Sequence, residues 1–406
     1  MIRKMRGRGQ MTSNKNDSAT TRREALTLGA AAAFGLSSGK ALAQKAEGQP
    51  LIGNPQLPDV PGNKMRWAIL GLGSFGVGQV IPGFADARHS RMTAFISGNR
   101  DKAEMLGARY GVQRLYDYDS FDSIADDPEI DCVYNVLPVG LHAEYTIRAL
   151  EAGKHVLCEK PMASSSAEAE AMIAAARKAN RQLGVAYRVH FEPNNVDVLG
   201  RITKGDLGTM RFISADHGFN ANLDWAPHRW RLQKALGGGG SMWDIGIYGV
   251  NTSLMMLPGD RVVAVSAAYA TPAGDPRFTE VEGAIDYRLR MASGINVQGS
   301  SSYCWSPYVA RQRYFGSTGS IEMHPATTYG DNRIRLEVNG APPQDVRAGD
   351  PWAQFAAQVD GFSLAARANV AHRTPGTMGL RDLRIMEACY RSADAGGAVM
   401  AVDIPV

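Results

Sequence analysis

Lys160 stands at the end of a short, mostly apolar run, residues 154–158, within the sequence Glu159-Lys160-Pro161. A side chain at the carboxyl end of a strand in an open parallel sheet faces the crevice where nucleotides bind. A lysine at that place can take part in proton transfer beside a bound cofactor. The sequence therefore predicts a chemical role for Lys160, provided that a cofactor site lies next to it.

A second group of reactive side chains follows four consecutive glycines, residues 237–240. Asp244 and Tyr248 are four residues apart, so they share one face of a helix, and Ser241 is placed to cap that helix. If Lys160 lies next to them, this carboxylate and phenol would form an acid/base group for a sugar hydroxyl. The lysine cation would then stabilise the phenolate. A structural ion pair beside a buried tyrosine explains the spacing equally well.

Gly71, Gly73 and Gly76 form a G-x-G-x-x-G pattern between an apolar run and a helical one. In this context the glycines permit a tight turn, close approach of the backbone to a pyrophosphate, and close packing of helix on strand. The same residues would also fit a glycine-rich turn that binds nothing. The alternation of strands and helices that follows favours a dinucleotide site.

The residues after the second predicted strand indicate which dinucleotide binds. NAD sites usually place Asp or Glu here to hold the ribose 2′-hydroxyl. This chain has Ser97, with Arg100 and Lys102 close behind. A hydroxyl and two cations attract the 2′-phosphate of NADP, whereas an acid repels it. We therefore predict NADP(H), although Arg100 or Lys102 alone would also fit an exposed helix start.

The elements that must position these residues divide the chain into two domains. Strands alternate with helices up to residue 187, which predicts a doubly wound parallel sheet, the NADP-binding Rossmann domain of residues 64–187. Apolar or alternating segments with short turns follow, and they predict an α+β substrate domain of residues 188–406 with a large, mostly antiparallel sheet. Two helices near the C-terminus, residues 352–368 and 379–393, are expected to pack back on the body. The other predicted helices cover residues 77–85, 100–110, 142–152 and 166–179.

Residues 1–43 have the layout of a twin-arginine signal peptide. Arg22-Arg23 precedes an Ala-rich, weakly apolar run, and Ala41-Leu42-Ala43 supplies a cleavage site. The sequence thus predicts export of the folded protein to the periplasm by the twin-arginine translocation machinery, from a start at Met1 or Met11. Residues 44–63 are predicted to be a linker or arm. No later run has 18 uninterrupted apolar residues, so no membrane span is expected.

The composition excludes several functional classes. The 406 residues are 44% hydrophobic and 21% charged, as in ordinary globular proteins. The formal charge of +4 becomes −2 without residues 1–43, which hold eight Lys or Arg and two acids, so nothing suggests a nucleic-acid partner. The four cysteines and eight histidines show no metal-ligand spacing, so no metal site is predicted. The sequence is compatible with a monomer or a homo-oligomer.

Three of these motifs resemble the Gfo/Idh/MocA oxidoreductase family: residues 71–76, Glu159-Lys160-Pro161 and residues 244–248. Further similar segments are residues 81–84, 97–99, 141–144, 152–156 and 230–248. Within the family the chain is most similar to the glucose–fructose and aldose–aldose oxidoreductases, from residue 65 to 395. Residues 220–228 depart from the glucose–fructose pattern, which makes an aldose the better expected acceptor.

The resemblance implies a tightly bound NADP(H) that is not exchanged between turnovers. One aldose is oxidised at C1 to its lactone, and a second sugar takes the hydride and becomes an alditol, in a ping-pong cycle. Lys160 and Tyr248 are implied as the catalytic pair and Asp244 as the residue that orients the substrate. Ser97, Lys102 and Tyr118 match positions around the 2′-phosphate. The positions matched near the pyrophosphate and nicotinamide ribose are Glu159, Arg188, Trp230 and Arg231.

Tyr329 matches a position that lines the active site. The complete set of implied cofactor-binding residues is Gly71, Gly73, Ser74, Phe75, Gly76, Ser97, Gly98, Asn99, Lys102, Tyr118, Leu137, Pro138, His142, Glu159, Lys160, Arg188, Trp230, Arg231 and Tyr329. Other functions remain open at this point: an NAD(P)-dependent glycoside hydrolase of the same superfamily, an ordinary NADP-dependent sugar dehydrogenase, or a sugar-binding protein with a vestigial nucleotide site. Ser97 with Lys102 argues against the hydrolases, because those enzymes hold NAD.

Overall fold

The computed structural model describes residues 64–404. The predicted signal peptide and arm, residues 1–43 and 44–63, lie outside the described residues. Within the described range the chain forms two sheets with helices packed on them.

The first sheet is built from parallel strands. Its members are β1 (Met65–Leu70), β2 (Ser90–Ile96), β3 (Arg114–Tyr116), β4 (Cys132–Asn135), β5 (His155–Cys158) and β6 (Leu183–Val185). They lie in the order β3-β2-β1-β4-β5-β6. The order reverses beside β1, and nucleotides bind at the carboxyl ends of the strands at such a reversal. The structure confirms the predicted doubly wound parallel sheet.

The helices of this part are α1 (Arg100–Tyr110), α2 (His142–Glu151) and α3 (Ser166–Ala179). Asn99 caps α1 by accepting a hydrogen bond from the Lys102 amide at 2.9 Å, and Gly111 ends it with a φ of +71°. Shorter helical turns cover Gly76–Val80, Ile81–Gly83, Phe84–Asp86, Phe121–Asp126 and Val139–Leu141.

One continuous helix is predicted for residues 77–85, but the structure divides this segment. A π-helical turn, Gly76–Val80, passes into Ile81–Gly83 and then into a 3₁₀ turn, Phe84–Asp86. Pro82 has no amide hydrogen to give to a continuous helix, so the hydrogen-bond pattern changes next to it.

The second sheet contains nine strands within residues 64–404. They are β7 (Met210–Asn220), β8 (Val262–Tyr269), β9 (Ala284–Met291), β10 (Asn296–Ser302), β11 (Cys304–Gly316), β12 (Gly319–Met323), β13 (Ile334–Val338), β14 (Gln344–Val346) and β15 (Met400–Ile404). Their order is β14-β13-β12-β11-β7-β10-β9-β8-β15, and every pair except β7–β10 is antiparallel. This confirms the predicted, mostly antiparallel sheet. The sequence prediction lacks β14 and β15, which are short or distant edge strands.

The helices after residue 187 are α4 (Pro193–Lys204), α5 (Ile247–Met255), α6 (Gln354–Ala368) and α7 (Gly376–Asp394). Shorter turns cover Arg188–Phe191, Ala226–Arg229, Trp230–Leu232, Lys234–Gly237, Met242–Gly246 and Pro351–Ala353. Helix α4 is absent from the sequence prediction. Glu192 caps its N-terminus, because the Glu192 side chain accepts hydrogen bonds from the amides of Asn194 and Asn195 at 3.1 and 2.7 Å. None of the helices described between residues 64 and 404 has the length and apolar character of a membrane span.

Helix α6 comes late in the sequence but packs on the first sheet. Asp360 accepts hydrogen bonds from the Arg88 amide at 2.6 Å and from the Ser90 hydroxyl at 2.8 Å. The Ser363 hydroxyl accepts one from the Trp67 indole at 3.0 Å. Helix α6 therefore covers one face of the nucleotide-binding sheet.

The two sheets share one apolar core. Val133 and Val156 from the first sheet and Leu289 and Val297 from the second belong to the same buried cluster, and all four are fully inaccessible. Helix α7 packs on β8, β15 and α3 and so joins both parts. This shared core fixes the position of the second sheet relative to the nucleotide crevice.

Candidate active site

The glycine turn after β1 has the shape that a dinucleotide needs. Gly71 has a φ of +99°, and a Cβ on Gly76 would lie only 2.8 Å from the Gly71 carbonyl oxygen. A Cβ on Gly73 would meet nothing within 4 Å, so the space beside it is open. Ser74 is exposed at the tip of the turn, followed by the half-buried Phe75. Open backbone leading into a helical turn fits a dinucleotide pyrophosphate.

The end of β2 lies beside this turn. The Ser97 hydroxyl accepts a hydrogen bond from the Asn99 amide at 3.1 Å. Lys102 donates a short hydrogen bond from Nζ to the carbonyl oxygen of Leu72, within the glycine turn. Burial lowers the pKa of Lys102. The structure thus brings Ser97 and Lys102 to the same side of the crevice, as the NADP interpretation requires.

Tyr118 closes this end of the crevice, whereas Arg100 does not reach it. A Cβ on Gly98 would lie 2.8 Å from the Tyr118 ring, so glycine lets the ring pack on the backbone. Burial raises the pKa of Tyr118 to about 12. Arg100 pairs instead with Glu104 at 2.7 Å on the exposed face of α1. Of the two predicted cations, only Lys102 lies on the turn.

His142, a predicted cofactor residue, contacts two of the loops around the crevice. His142 is fully buried, with Nδ1 2.8 Å from the Pro161 carbonyl oxygen and Nε2 2.8 Å from that of Leu137. Burial lowers the pKa of His142 to about 4. A neutral imidazole carries one N–H and donates to only one of these carbonyl oxygens, but its packing places the Leu137-Pro138 segment after β4 next to the Lys160-Pro161 turn after β5.

Glu159 is buried at the end of β5. Its carboxylate accepts hydrogen bonds from the Tyr134 hydroxyl at 2.7 Å and from the Lys160 amide at 3.2 Å. Burial raises the pKa of Glu159, although Tyr134 and the charges of Lys160 and Arg188 oppose that shift. The carboxylate is held next to the base of Lys160.

Lys160 reaches from the first domain into the second. Its Nζ donates to the backbone carbonyl of Asp244 at 2.5 Å and lies 3.3 Å from Oδ1 of the same residue. It also lies 4.7 Å from the centre of the Tyr248 ring. Asp244 belongs to the π-helical turn Met242–Gly246 and Tyr248 to α5, and both meet Lys160. The structure therefore brings together the three residues that are predicted to be catalytic.

Asp244 is surrounded by donors. Arg231 donates from Nε to Oδ2 at 2.8 Å, and the buried Tyr303 hydroxyl donates to the same oxygen at 3.1 Å. Burial alone raises the pKa of Asp244, but the charges of Arg231 and Lys160 and the Tyr303 hydrogen bond hold it well below its usual range. Asp244 is therefore a permanent carboxylate that fixes two cations.

The Tyr248 hydroxyl is bonded to a buried arginine. Arg188 donates from Nη2 to that hydroxyl at 3.0 Å and to the Thr327 carbonyl at 2.7 Å. Its Nη1 donates to the Gln354 side chain at 2.6 Å. The resemblance places Arg188 near the pyrophosphate and nicotinamide ribose; the structure shows it bonded to Tyr248. Two cations, Lys160 and Arg188, thus flank one phenol and stabilise negative charge that develops on its oxygen.

Aromatic rings line the approach to this cluster. The Arg188 guanidinium lies 4.6 Å from the centre of the Tyr329 ring. Tyr329 in turn contacts Phe75 of the glycine turn, with ring centres 5.9 Å apart. On the other side, Arg231 lies 4.5 Å from the centre of the Trp230 ring. A pocket at the cluster is lined from both domains by Val139, Lys160, Pro161, Trp230, Arg231, Gly237, Asp244 and Tyr303.

The four glycines before Asp244 permit close approach rather than mobility. A Cβ would lie 2.8 Å from the Arg231 carbonyl oxygen at Gly237, 2.8 Å from the Trp243 ring at Gly238, and 1.9 Å from the Glu282 carbonyl oxygen at Gly240. Any larger residue would push the helix that carries Asp244 out of the site.

The predicted Ser241 cap is wrong. The Ser241 hydroxyl lies 3.1 Å from both the carbonyl and the hydroxyl oxygen of Ser301. Glu282 caps the helix instead, accepting from the amides of Gly240 and Met242 at 2.9 and 2.8 Å. A carboxylate accepts more strongly than a hydroxyl and suits the positive end of the helix, which leaves Ser241 free to bond to the adjacent strand.

His217 is a site residue that the sequence reasoning missed. It is 2% exposed on β7 and stacks on the Tyr248 ring, with centres 5.9 Å apart and planes 26° apart. In the described part of the chain neither ring nitrogen has a hydrogen-bond partner. Burial lowers its pKa to about 3, and the charges of Lys160 and Arg188 act in the same direction. A neutral imidazole at this position can both donate to and accept from a hydroxyl.

A lysine, a tyrosine and a carboxylate beside an open glycine turn can move a proton while a bound dinucleotide moves a hydride. This is the chemistry of an oxidoreductase. Within residues 64–404 no group of three His, Cys, Asp or Glu side chains could hold a metal ion.

Comparisons with known proteins agree with this class. The family described as "Oxidoreductase family, NAD-binding Rossmann fold" matches residues 65–187, and "GFO/IDH/MocA C-terminal domain" matches residues 198–322. A D-xylose 1-dehydrogenase [NADP(+)] of Haloarcula marismortui is 34% identical over 83% of this chain and 93% of its own length. The chain belongs to the Gfo/Idh/MocA oxidoreductase family.

Two further relatives are similar over most of their length. The crystal structure of an aldose–aldose oxidoreductase from Caulobacter crescentus, complexed with glycerol, has a TM-score of 0.79 and 40% identity, covering 84% of this chain and all of that one. A D-xylose 1-dehydrogenase (NADP(+)) 2 of Haloferax volcanii is 28% identical over 82% of this chain and 99% of its own.

Proposed function

We propose that the protein is an aldose oxidoreductase that keeps NADP(H) bound and moves hydride between two sugars. One aldose is oxidised at C1 to its lactone, and a second sugar, an aldose or fructose, is reduced to an alditol. The observation that carries the proposal is the pair of cations around the Tyr248 side chain, with Lys160 4.7 Å from the ring centre and Arg188 bonded to the hydroxyl at 3.0 Å. The 40% identity to an aldose–aldose oxidoreductase supports the sugar substrate.

Tyr248 is the group that exchanges a proton with the sugar. In the oxidative half-reaction its phenolate oxygen takes the proton of the C1 hydroxyl, and in the reductive half-reaction the phenol formed in this way returns that proton to the new alkoxide. When bound, NADP(H) accepts the hydride in the first half and supplies it in the second. Lys160 and Arg188 stabilise the charge on the phenolic oxygen, and Asp244 holds Lys160 in place through its 3.3 Å contact.

NADP(H) is the proposed cofactor because of the side chains at the end of β2. Ser97 adds no negative charge there, and Lys102 lies on the glycine turn through its bond to Leu72. Both features favour a 2′-phosphate over a free 2′-hydroxyl. The names of the two xylose dehydrogenases, which carry NADP(+), support this choice.

The test is to incubate the purified protein with D-glucose alone, without added nucleotide. We expect bound nicotinamide absorbance in the purified protein, and gluconate and sorbitol in equal amounts. Tyr248→Phe is the matched control, because it keeps the ring and removes only the hydroxyl; it should retain the nucleotide and form both products about 10²- to 10⁴-fold more slowly. A wild-type protein that holds no nucleotide, or gluconate without sorbitol, would refute the proposal.

A second candidate is an ordinary NADP-dependent sugar dehydrogenase. The similarity to D-xylose 1-dehydrogenases favours it, since both relatives are covered almost completely. The same purified protein distinguishes the two. A dehydrogenase forms NADPH in proportion to added NADP⁺ and releases it, whereas the retained-cofactor enzyme needs no addition.

We also propose that the protein works in the periplasm, on the strength of Arg22-Arg23 and the run that follows in the sequence. An enzyme outside the cytoplasm has no supply of free dinucleotide, so a retained cofactor suits this location. A reporter fused to residues 1–43 should be exported, and Arg22→Lys with Arg23→Lys should stop export. Export that continues without the arginine pair would refute the twin-arginine route.

A further inference from the structure

Four buried polar side chains are bonded in series next to the helix that carries Tyr248. His190 lies with Nε2 2.8 Å from Oδ1 of Asn251. Asn251 donates from Nδ2 to Asp382 at 2.7 Å, and Asp382 is paired with Arg381 at 2.7 Å. Exposure of the four residues is 5%, 0%, 0% and 7% in that order. These four residues, here named the rear clamp, are excluded from water and bonded from end to end.

The rear clamp joins the two elements that carry the hydrogen bond between Arg188 and Tyr248. His190 is two residues after Arg188 on the same 3₁₀ turn, Arg188–Phe191. Asn251 is three residues after Tyr248 on α5, so the two side chains lie on neighbouring positions of one helix. The 2.8 Å contact between His190 and Asn251 therefore fixes the turn to the helix beside the 3.0 Å contact between Arg188 and Tyr248.

The charges and burial at the rear clamp set which atom donates. Burial lowers the pKa of His190 to about 4, although its hydrogen bond to Asn251 acts in the opposite direction. The imidazole is therefore neutral at neutral pH, and Nε2 carries the hydrogen that Asn251 Oδ1 accepts. The amide group of Asn251 is then used at both ends, because its nitrogen donates to Asp382. Asp382 thus orients the amide so that its oxygen faces His190.

Apolar packing alone would not fix this geometry. Apolar contacts are non-directional and let a helix rotate slightly about its axis, whereas a hydrogen bond weakens steeply with angle. A buried polar group is costly unless it is bonded, so each member of the rear clamp penalises any rotation that breaks a bond. The position of the phenolic oxygen depends on the rotation of α5.

We propose that His190 and Asn251 are positioning residues for Tyr248: together with Asp382 they set the distance between the Tyr248 oxygen and the Arg188 guanidinium. This inference rests on the proposed function, in which Tyr248 transfers the proton. Neither His190 nor Asn251 touches the substrate or the cofactor in this scheme, and both act through the Arg188–Tyr248 contact.

The experiment compares two substitutions at His190 in the full-length protein, with turnover of D-glucose as the assay. His190→Phe keeps a ring and removes the donor, and kcat should fall about 10- to 100-fold, the loss that follows when a reacting group is misplaced by a fraction of an ångström to an ångström. KM and the amount of bound NADP(H) should stay within about twofold of wild type, because neither site is touched. His190→Gln puts an amide donor in the same place and should recover most of the loss.

A double-mutant cycle separates positioning from general stability. In the Tyr248→Phe background there is no oxygen left to position, so adding His190→Phe should change the residual rate less than about twofold. The same fold-loss in both backgrounds, or no rescue by His190→Gln, would overturn the proposal. If His190→Phe does not fold, Asn251→Ser replaces it in the cycle, since serine is too short to reach His190 and Asp382 together.

His372 offers a matched control on the other side of the same turn. It is 3% exposed and stacks on Phe191, with ring centres 5.6 Å apart, and it bonds to Thr374 rather than to Asn251. His372→Phe should leave kcat within about twofold of wild type. A loss equal to that of His190→Phe would show that any buried imidazole near this turn matters and would overturn the proposal. A wild-type protein that turns over no sugar would instead refute the proposed function itself.

Discussion

The nucleotide side of the crevice is made mainly of backbone, and the opposite side is made of long polar side chains from separate segments. On the first side, Gly71, Gly73 and Gly76 lie within six residues of sequence. On the other, Lys160, Arg188 and Asp244 come from three distant segments and meet only in the folded chain. Backbone sites can be recognised from a short motif, whereas side-chain sites depend on long-range packing.

The two sides also differ in how they tolerate charge. The open turn at Gly73 supplies amide groups and space for an anion. On the second side, two arginines and a lysine surround one carboxylate and one phenol. Arg188 is bonded to Tyr248, and Arg231 and Lys160 are paired with Asp244. We expect the first side to determine which nucleotide binds and how tightly, and the second to determine the rate.

Lys160→Met should cause the largest effect. Removing the cation that touches both Asp244 and Tyr248 should lower turnover by about 10³-fold, within the range for loss of an acid/base group. Bound NADP(H), measured by absorbance after denaturation, should fall far less than turnover does, because the glycine turn is left intact. Lys178→Met, on the exposed face of α3, is the control and should turn over normally. A Lys160→Met protein that purifies without nucleotide would show that the two sides do not work separately.

Gly73→Ala should weaken nucleotide binding by about 10-fold or more without harming the fold. A Cβ on Gly73 meets no protein atom within 4 Å, so only a bound pyrophosphate would meet it. Gly78→Ala is the matched control, because its Cβ also meets nothing within 4 Å but lies further along the helical turn. Titration with NADP⁺ and thermal unfolding without nucleotide measure the two effects. Equal affinities for both variants would contradict the assigned turn.

Ser97→Asp should change the choice of nucleotide rather than the rate. A carboxylate at the end of β2 repels the 2′-phosphate and bonds to a 2′-hydroxyl, so affinity for NADP⁺ relative to NAD⁺ should fall about 10-fold or more. Ser97→Ala is the control for loss of the hydroxyl alone. Turnover with nucleotide at saturation should stay close to wild type. An unchanged preference in Ser97→Asp would remove this residue from the 2′-phosphate site.

Acidification should produce the smallest of these effects, a loss of stability. It tests whether the buried histidines on the two sides of the crevice contribute alike. Folding lowers the pKa of His142 to about 4 and of His217 to about 3, both through burial, from a usual value near 6.5. Below pH 6.5 these histidines are protonated in the unfolded chain but not in the folded chain. Their contribution to the free energy of unfolding is therefore complete above pH 6.5 and is lost as the pH drops toward 4. Each histidine adds at most about 1.4 kcal/mol per pH unit to the slope.

Denaturant titrations at pH 7, 6 and 5 measure this slope. His217→Leu on the sugar side and His142→Gln on the nucleotide side should each give a shallower dependence than wild type. If one of the two variants keeps the wild-type dependence of stability on pH, then folding does not lower the pKa of the histidine replaced in that variant.

The sequence predicts the elements whose signals are local. The bounds of α1 and α3 agree with the structure, because a capped helix is encoded within a few residues. The association of Lys160 with Asp244 and Tyr248 is also predicted. It follows from the position of Lys160 after a strand and from the family resemblance.

The rest of the site could not be predicted for a physical reason. Tyr303 lies between β10 and β11, and His217 lies on β7. No local spacing in the sequence connects either of them to residue 244 or 248. Glu282 caps a helix that begins some 40 residues before it, so nothing near Ser241 indicates the true cap. Only the pairing of strands in the second sheet brings these side chains to the crevice.

Helix α6 affects how the protein must be made. Its residues, 354–368, leave the ribosome long after β1 and β2, yet Phe362 and Val359 cover Trp67 and Phe95 of those strands. Until then the nucleotide-binding sheet has an apolar face open to water and to other chains. A fragment that ends at residue 187 should therefore aggregate, and the nascent chain acquires a finished cofactor site only after α6 has left the ribosome.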